Sequence, residues 1–130
     1  MRVSKDPEIR RQEIIDSARG LFRSKGIRKT SMSDVADKIG VAKGLVYYYF
    51  SSKDELVEAV VDDFIKDIDK ELKNIMSRNL GFIQTLSAIF DFYFYSIHSY
   101  LVALTDSPGD PEILRLIRGR LSDVALLYTR

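Results

Sequence analysis

Hydrophobic residues recur every three or four positions along most of this chain, a spacing that predicts amphipathic helices rather than strands. A first helix should begin at Asp6-Pro7, because aspartate caps helix N-termini and proline is tolerated at the first helical position. Its apolar face contains Ile14, Ala18, Leu21 and Phe22. Gly26 is placed to end this helix, since glycine adopts the backbone conformation of a helix C-terminus without strain.

Two short helices follow, with a tight glycine turn between them. Ser31 and Asp34 have the spacing of a capping box, and Gly40 is suited to end the helix that they begin. The buried side of this second helix should contain Val35, Ala36 and Ile39. A third helix is predicted from about residue 42 to residue 49. One longer and two short helices in this order are typical of a three-helix, helix-turn-helix DNA-binding unit.

The rest of the chain is also predicted to be helical. A fourth helix starts at residues 51–55, where a serine cap and two acids suit the positive end of the helix dipole. Its apolar stripe reaches about residue 78 and contains Leu56, Val60, Phe64, Ile68, Leu72 and Ile75. A fifth helix occupies residues 79–105, in which Asp91 is the single charged residue. A sixth helix starts near Pro111 and carries a further apolar stripe.

Charge is distributed unevenly along the chain. The formal net charge is +1, but residues 1–53 contain 12 Lys/Arg and 6 Asp/Glu, whereas residues 54–130 contain 8 and 13. Chance clustering is one explanation, and binding of a polyanion by the first part is the other. The chain has no cysteine, which excludes disulfides and thiolate metal sites. The first seven residues lack the apolar run of a signal peptide, so a cytoplasmic location is expected.

Several short motifs in the first part match one family together. They are Ile14-Ile15-x-x-Ala18-x-x-Leu21-Phe22, Lys25-Gly26, Thr30-Ser31-x-x-Asp34-Val35-Ala36, Gly40-Val41-x-Lys43-Gly44, Tyr47-x-Tyr49-Phe50 and Lys53-Asp54-Glu55-Leu56. With these motifs, residues 11–56 resemble the N-terminal domain of the TetR (tetracycline-repressor-like) family of transcriptional regulators. The resemblance implies an all-α protein with a helix-turn-helix DNA-binding domain over residues 1–53. A helical effector-binding and dimerisation region would then cover residues 54–130, with residues 54–78 as the connecting helix.

The resemblance also implies which residues contact DNA. Helix 3 would be the recognition helix, and helix 2 would touch the flanking strand. The residues that fall at family contact positions are Thr30, Ser33, Lys43, Gly44, Leu45, Tyr47, Tyr48, Tyr49 and Lys53. Successive helical residues point about 100° apart, so the three tyrosines cannot all face DNA and at least one should pack against helix 1 or helix 4.

Two details of this region stay open at the level of sequence. The family usually has a small or polar residue where this chain has Leu45, and a core leucine where it has Val46. The pair could be a packing exchange, or Leu45 could read a thymine methyl group by apolar contact. Arg10 and Arg11 could reach backbone phosphates, although members of a charge run are more often solvated.

Helix 5 is apolar nearly all round. Its main stripe contains Phe82, Leu86, Ile89, Tyr93 and Ile97 with Tyr100 or Leu101, and Phe90 and Phe94 widen it. Three explanations are open for this helix: a central core helix, a wall of an apolar ligand cavity, or a membrane span. Its scattered polar residues argue against a membrane span. If a cavity is present, its residues should be Phe90, Asp91, Tyr93, Phe94 and His98, with Tyr95 as a further polar group. His98 is the only histidine, so no metal site is expected.

The sequence therefore predicts a homodimeric, sequence-specific transcriptional repressor of double-stranded operator DNA, released by an apolar or aromatic small molecule. No cofactor and no membrane association are expected. An enzyme is disfavoured, because no nucleophile–histidine pair, phosphate loop or metal cluster occurs. A helical ligand- or lipid-binding protein with a non-functional helix-turn-helix is the alternative. TetR-like proteins usually contain further helices, so a truncated product, a partial chain and a compact variant all stay open.

Overall fold

The computed structural model of the protein describes the backbone of residues 6–105, Gly119 and Asp123, and side chains within residues 6–96 and at those two positions. The described residues form helices and no strands, which confirms the predicted all-α class. The helices are α1 (Pro7–Lys25), α2 (Met32–Ile39), α3 (Lys43–Tyr49), α4 (Lys53–Ser77) and α5 (Phe82–Thr105). Of the predicted sixth helix the structure describes only Gly119 and Asp123, both in helical conformation, and the rest lies outside the described residues.

Local capping interactions fix the ends of α1 as predicted. The Glu8 N–H donates to the Asp6 Oδ1 at 2.8 Å, and Pro7 occupies the first helical position. At the other end, Gly26 has a φ of 88° and its N–H donates to the Phe22 carbonyl oxygen at 3.0 Å. A residue with a side chain would be strained at that φ, so glycine ends the helix at little cost.

A full capping box begins α2. The Ser31 Oγ accepts from the Asp34 N–H at 3.0 Å, while the Asp34 Oδ2 accepts from the Ser31 N–H at 2.9 Å. Gly40 ends the helix in the left-handed conformation, with a φ of 71°. The Val41 N–H then donates back to the Ala36 carbonyl oxygen at 3.0 Å, so the chain reverses within three residues and starts α3.

The chain divides into two compact units, Met1–Val60 and Val61–Arg130, and the division falls inside α4. The first unit has a dense apolar core to which the start of α4 contributes. Its buried apolar side chains are Ile14, Ile15, Ala18, Phe22, Met32, Val35, Ala36, Val46, Phe50, Leu56, Val57 and Val60. The Ser17 hydroxyl is also buried and donates to the Val35 carbonyl oxygen at 3.2 Å, which joins α1 to α2.

The predicted apolar stripe of α4 is confirmed in the second unit at Ile68 and Ile75, which are buried, but not at all of its positions. On α4 the buried residues in this unit are Val61, Ile65, Ile68 and Ile75. Phe64 and Leu72, which the predicted stripe contained, are half-buried. Consecutive residues on a helix point about 100° apart, and Phe64 and Ile65 are both apolar, so the sequence pattern alone could not decide which of them is buried.

Helix α5 departs further from the predicted buried stripe. Phe82, Leu86 and Tyr93 of that stripe are 80%, 54% and 45% exposed, whereas its Ile89 is half-buried together with Thr85, Ala88, Phe92 and Ser96. Among the described side chains, this exposure does not fit the first of the three explanations, a central core helix, and leaves the wall of a ligand cavity open. Among the helices that the structure describes, none is both long enough and apolar enough to cross a membrane.

Candidate nucleic-acid interface

The centre of the candidate site is helix α3, which follows α2 after the turn at residues 40–42. Val46 faces the core and is 0% exposed, whereas Lys43, Gly44, Tyr47 and Tyr48 of this two-turn helix are exposed. Leu45 is half-buried. Val46 therefore fills the core position of the helix, and base reading by Leu45 stays a prediction.

One face of α3 is exposed and has the chemistry of a DNA contact surface. Lys43 and Gly44 lie at its start, and Tyr47 and Tyr48 lie one turn later. Tyr47 is 43% exposed and Tyr48 is 80% exposed. A Cβ atom built on Gly44 would meet no heavy atom within 4 Å, so the backbone here is open to a partner. Cations, hydroxyls and an approachable backbone are the groups that contact phosphate and base edges in the major groove.

The three consecutive tyrosines have different environments. Tyr49 is half-buried, and its ring lies edge-on to that of Tyr48, with centroids 5.2 Å apart and planes at 85°. Tyr47 instead lies near Lys43, whose Nζ is 5.7 Å from the centre of the Tyr47 ring. Tyr47 and Tyr48 are thus the exposed tyrosines, and Tyr49 is the one that is partly covered. Such a difference is expected, because successive residues of a helix point about 100° apart. Packing of one tyrosine against helix 1 or 4 stays a prediction.

Lys53 lies at the first position of α4 and is half-buried. Desolvation lowers the pKa of its ammonium group, while the nearby carboxylates of Asp54 and Asp34 act in the opposite direction. The side chain is thus partly covered while its charge lies at the start of α4.

Two residues of helix 2 and its start were also predicted to contact DNA. Ser33 is half-buried on α2. Thr30 is 1% exposed, and its hydroxyl donates to the Gly26 carbonyl oxygen at 2.8 Å. The assignment of Thr30 to DNA is therefore corrected to a structural one, because a buried and already bonded hydroxyl is not available to a phosphate.

Asp34 connects the start of α2 to α1. Its Oδ2 lies 2.8 Å from the Lys25 Nζ. The hydrogen bond from Lys25 and that from the Ser31 backbone lower the pKa of Asp34 to about 2. The carboxylate is consequently ionised at neutral pH and holds the helix-turn-helix unit to the end of α1.

Arg10 and Arg11 have different partners, which the sequence does not distinguish. The Arg10 Nη1 lies 3.4 Å from the Glu13 carboxylate. The Arg11 guanidinium carbon lies 5.2 Å from the centre of the Phe50 ring, and Phe50 is the C-cap residue of α3. The sequence left a phosphate contact of Arg11 open and predicted no role for Phe50 in DNA contact.

The second candidate site is an open cavity of about 350 Å³ on α5. Phe90, Asp91, Phe94 and Tyr95 line it, and the Phe90 and Phe94 rings stack with centroids 6.2 Å apart. Tyr93 does not line this cavity, whereas Tyr95, the further polar group of the sequence analysis, does. The side chain of His98 lies outside the described residues.

Comparison with known proteins places the first part of the chain among regulators. Residues 14–60 match the sequence profile of the bacterial regulatory proteins of the tetR family. The HTH-type transcriptional repressor KstR2 of Rhodococcus jostii (strain RHA1) is 34% identical over 80 residues, which are 62% of this chain and 39% of that protein. An uncharacterized HTH-type transcriptional regulator of Lactococcus lactis is 36% identical over 68% of this chain and 45% of its own length.

Solved structures show the same helical arrangement. The ketosteroid transcriptional regulator KstR2 of Mycobacterium tuberculosis matches with a TM-score of 0.66 and 25% identity, over 94% of this chain and 65% of that one. The fatty acid degradation regulator FadR from Bacillus halodurans matches with a TM-score of 0.73 over 96% of this chain and 66% of its own. At 20% identity, the second match concerns the fold alone. The chain spans about two fifths to one half of the length of the curated KstR2 relatives that it matches.

Proposed function

We propose that the chain, whose residues 14–60 match the profile of the tetR family of bacterial regulatory proteins, is a sequence-specific transcriptional repressor that binds operator DNA. The observation that carries the proposal is the exposed face of α3, where Lys43, Gly44, Tyr47 and Tyr48 surround an open backbone. The opposite side of the same helix is anchored in the core by Val46, so the contact surface is held rigidly.

In this proposal the protein acts as a homodimer, and each protomer inserts α3 into the major groove. The two half-sites of the operator then lie about one helical turn apart, roughly 34–36 Å, or a multiple of that distance. Lys43 and Lys53 bind backbone phosphates, and the tyrosine hydroxyls add hydrogen bonds to phosphate oxygens. These contacts fix register, while Leu45 in the first turn of α3 is the side chain that would read a base, by apolar contact with a thymine methyl group.

The salt dependence of binding tests the proposal. Fluorescence anisotropy with the DNA upstream of the protein's own gene should give binding that weakens steeply between 50 and 200 mM salt, with a slope of about −0.9 per phosphate contact. Lys53→Ala should weaken binding and reduce that slope by about one per protomer. Lys70→Ala removes the same charge from an exposed site in the second unit and serves as the matched control.

The outcomes separate this proposal from its main rival. Equal binding to unrelated competitor DNA, or binding that does not respond to salt, would contradict a sequence-specific repressor. Absence of DNA binding together with capture of apolar compounds would favour a helical ligand- or lipid-binding protein instead. The exposed aromatic rings and the cavity on α5 are the observations that keep this second candidate in view.

We further propose that an apolar or aromatic effector binds at the α5 cavity and releases the DNA. The stacked Phe90 and Phe94 rings offer an apolar surface, and Asp91 and Tyr95 offer polar groups that orient a ligand. Because α4 contributes to both units, a ligand beside α5 could change the spacing of the two recognition helices through α4. Such coupling requires that the effector bind the two spacings with different affinity.

Two exposed phenylalanines of α5 provide a matched test of the effector site. Phe94 lines the cavity and is 68% exposed, whereas Phe82 is 80% exposed and lies outside it. In a thermal-shift screen of apolar compounds, Phe94→Ala should abolish the stabilisation caused by an active compound, and Phe82→Ala should retain it. Equal responses of the two variants would place the ligand elsewhere.

A further inference from the structure

The basic residues of the first unit differ in the group that lies next to their charge. Arg10 and Lys25 are paired with carboxylates, at 3.4 Å from Glu13 and 2.8 Å from Asp34. Arg11 is held by an aromatic ring instead, and within the part of the chain that the structure describes no carboxylate pairs with it. The two neighbouring arginines are both charged, but Arg10 lies beside a carboxylate and Arg11 lies beside an aromatic ring.

The ring under Arg11 is fixed in the core. Phe50 is 3% exposed, and its N–H donates to the Val46 carbonyl oxygen at 3.0 Å, which closes the last turn of α3. Arg11 extends from α1 and is exposed. The contact thus holds an exposed cation of α1 beside Phe50, the residue that ends α3. Phe50 is three positions before Lys53 in the chain.

The kind of contact decides whether the N–H donors of the guanidinium are available to a phosphate. A carboxylate partner occupies the N–H donors of an arginine, whereas an aromatic ring attracts the flat face of the guanidinium through its quadrupole. The five N–H donors lie in the guanidinium plane and stay available. A located, fully charged group with free in-plane donors is suited to bidentate binding of phosphate oxygens.

We propose that Arg11 binds a phosphate of the DNA backbone at the C-terminal end of α3, and that Phe50 is the residue that positions it. The inference rests on the proposed DNA-binding function and adds a contact from α1 to it. Arg10, whose guanidinium already pairs with the Glu13 carboxylate at 3.4 Å, does not take part. Recognition would then involve α1 as well as the helix-turn-helix. The DNA backbone would be contacted on both sides of the recognition helix.

Arg11→Gln is the principal test, with Arg10→Gln as the matched control. The anisotropy titration described above should show that Arg11→Gln weakens DNA binding roughly 10- to 100-fold, the effect of one lost hydrogen bond to a charged group. It should also reduce the salt slope by about 0.9 per protomer, while Arg10→Gln leaves the slope unchanged. Arg11→Lys, which keeps the charge and loses the bidentate geometry, should restore the slope and only part of the affinity.

A purely structural role for Arg11 predicts a different result. If the arginine only secures α1 to α3, Arg11→Gln would lower the thermal unfolding midpoint and leave the salt slope as it is. That result would overturn the inference, as would an equal loss of binding in Arg10→Gln. Failure of the wild-type protein to bind any operator DNA would instead overturn the proposed function itself, and the Arg11 assignment with it.

Discussion

A methyl group added at Gly44 should separate folding from DNA binding. Gly44 is in the first turn of α3, its φ is not positive, and the new Cβ would meet no heavy atom within 4 Å. Glycine in a helix is less favourable than alanine by roughly 0.5–1 kcal/mol, mainly because the unfolded glycine has more conformational freedom. Gly44→Ala should therefore raise the free energy of unfolding by up to about 1 kcal/mol.

The same methyl group should weaken DNA binding if the start of α3 approaches the duplex closely. An extra methyl in a packed contact typically costs 1–3 kcal/mol, which corresponds to a loss of about 5- to 150-fold in affinity per protomer. The measurement pairs urea unfolding followed by circular dichroism with fluorescence anisotropy on the operator. We expect stability and affinity to change in opposite directions.

Gly20→Ala is the control for this experiment. Gly20 is on α1, and a Cβ there would lie 2.5 Å from the Lys38 Nζ, the flexible end of a side chain that can move away. The substitution should therefore stabilise the fold and leave DNA affinity unchanged. If Gly44→Ala keeps wild-type affinity, the start of α3 does not approach DNA; if it destabilises the fold, the space around Gly44 is not open in solution.

Three further predictions concern single groups of the first unit. Tyr47→Phe should weaken operator binding about fivefold, the effect of one hydrogen bond, and leave the melting midpoint nearly unchanged; a large loss of stability with intact binding would make Tyr47 a core residue. Ser31→Ala should lower the free energy of unfolding by about 0.5–2 kcal/mol, because α2 loses its N-cap, and an unchanged urea midpoint would argue against the capping box. The pKa of Asp34 is lowered to about 2 in the folded state, so its stabilising effect is present above its ordinary pKa near 3.8 and is lost as the pH falls towards 2. Urea unfolding from pH 5 to pH 2 should show a stability difference between the wild type and Asp34→Asn that shrinks with acidification, and a constant difference would contradict this.

Helix boundaries were predictable because their causes are local. The caps at Asp6, Ser31 and Gly40 depend on groups within four residues of each other, and all three have the predicted geometry. Thr30 shows the limit of such reasoning. It stands next to the N-cap serine and looks equally available in sequence, yet its burial commits the hydroxyl to Gly26.

The choice between two apolar rows of a helix was not predictable. Phe64 and Ile65 lie on neighbouring rows of α4, and Ile65 is the one that is buried. On α5 almost every row is apolar, so the periodicity has no contrast from which to choose a buried side. Only the packing of the neighbouring elements decides which row faces inward.

The sequence by itself determined the all-α class, the helix-turn-helix and the two short helices with their caps, because each depends on contacts between residues close in the chain. It also marked Lys43, Gly44 and the tyrosines as the candidate contact surface. The tertiary structure decided which of these side chains are exposed, removed Thr30 from the set and placed Arg11 on Phe50. Those last two residues are 39 positions apart in the chain, and no local pattern records a contact that forms only when α1 folds against the end of α3.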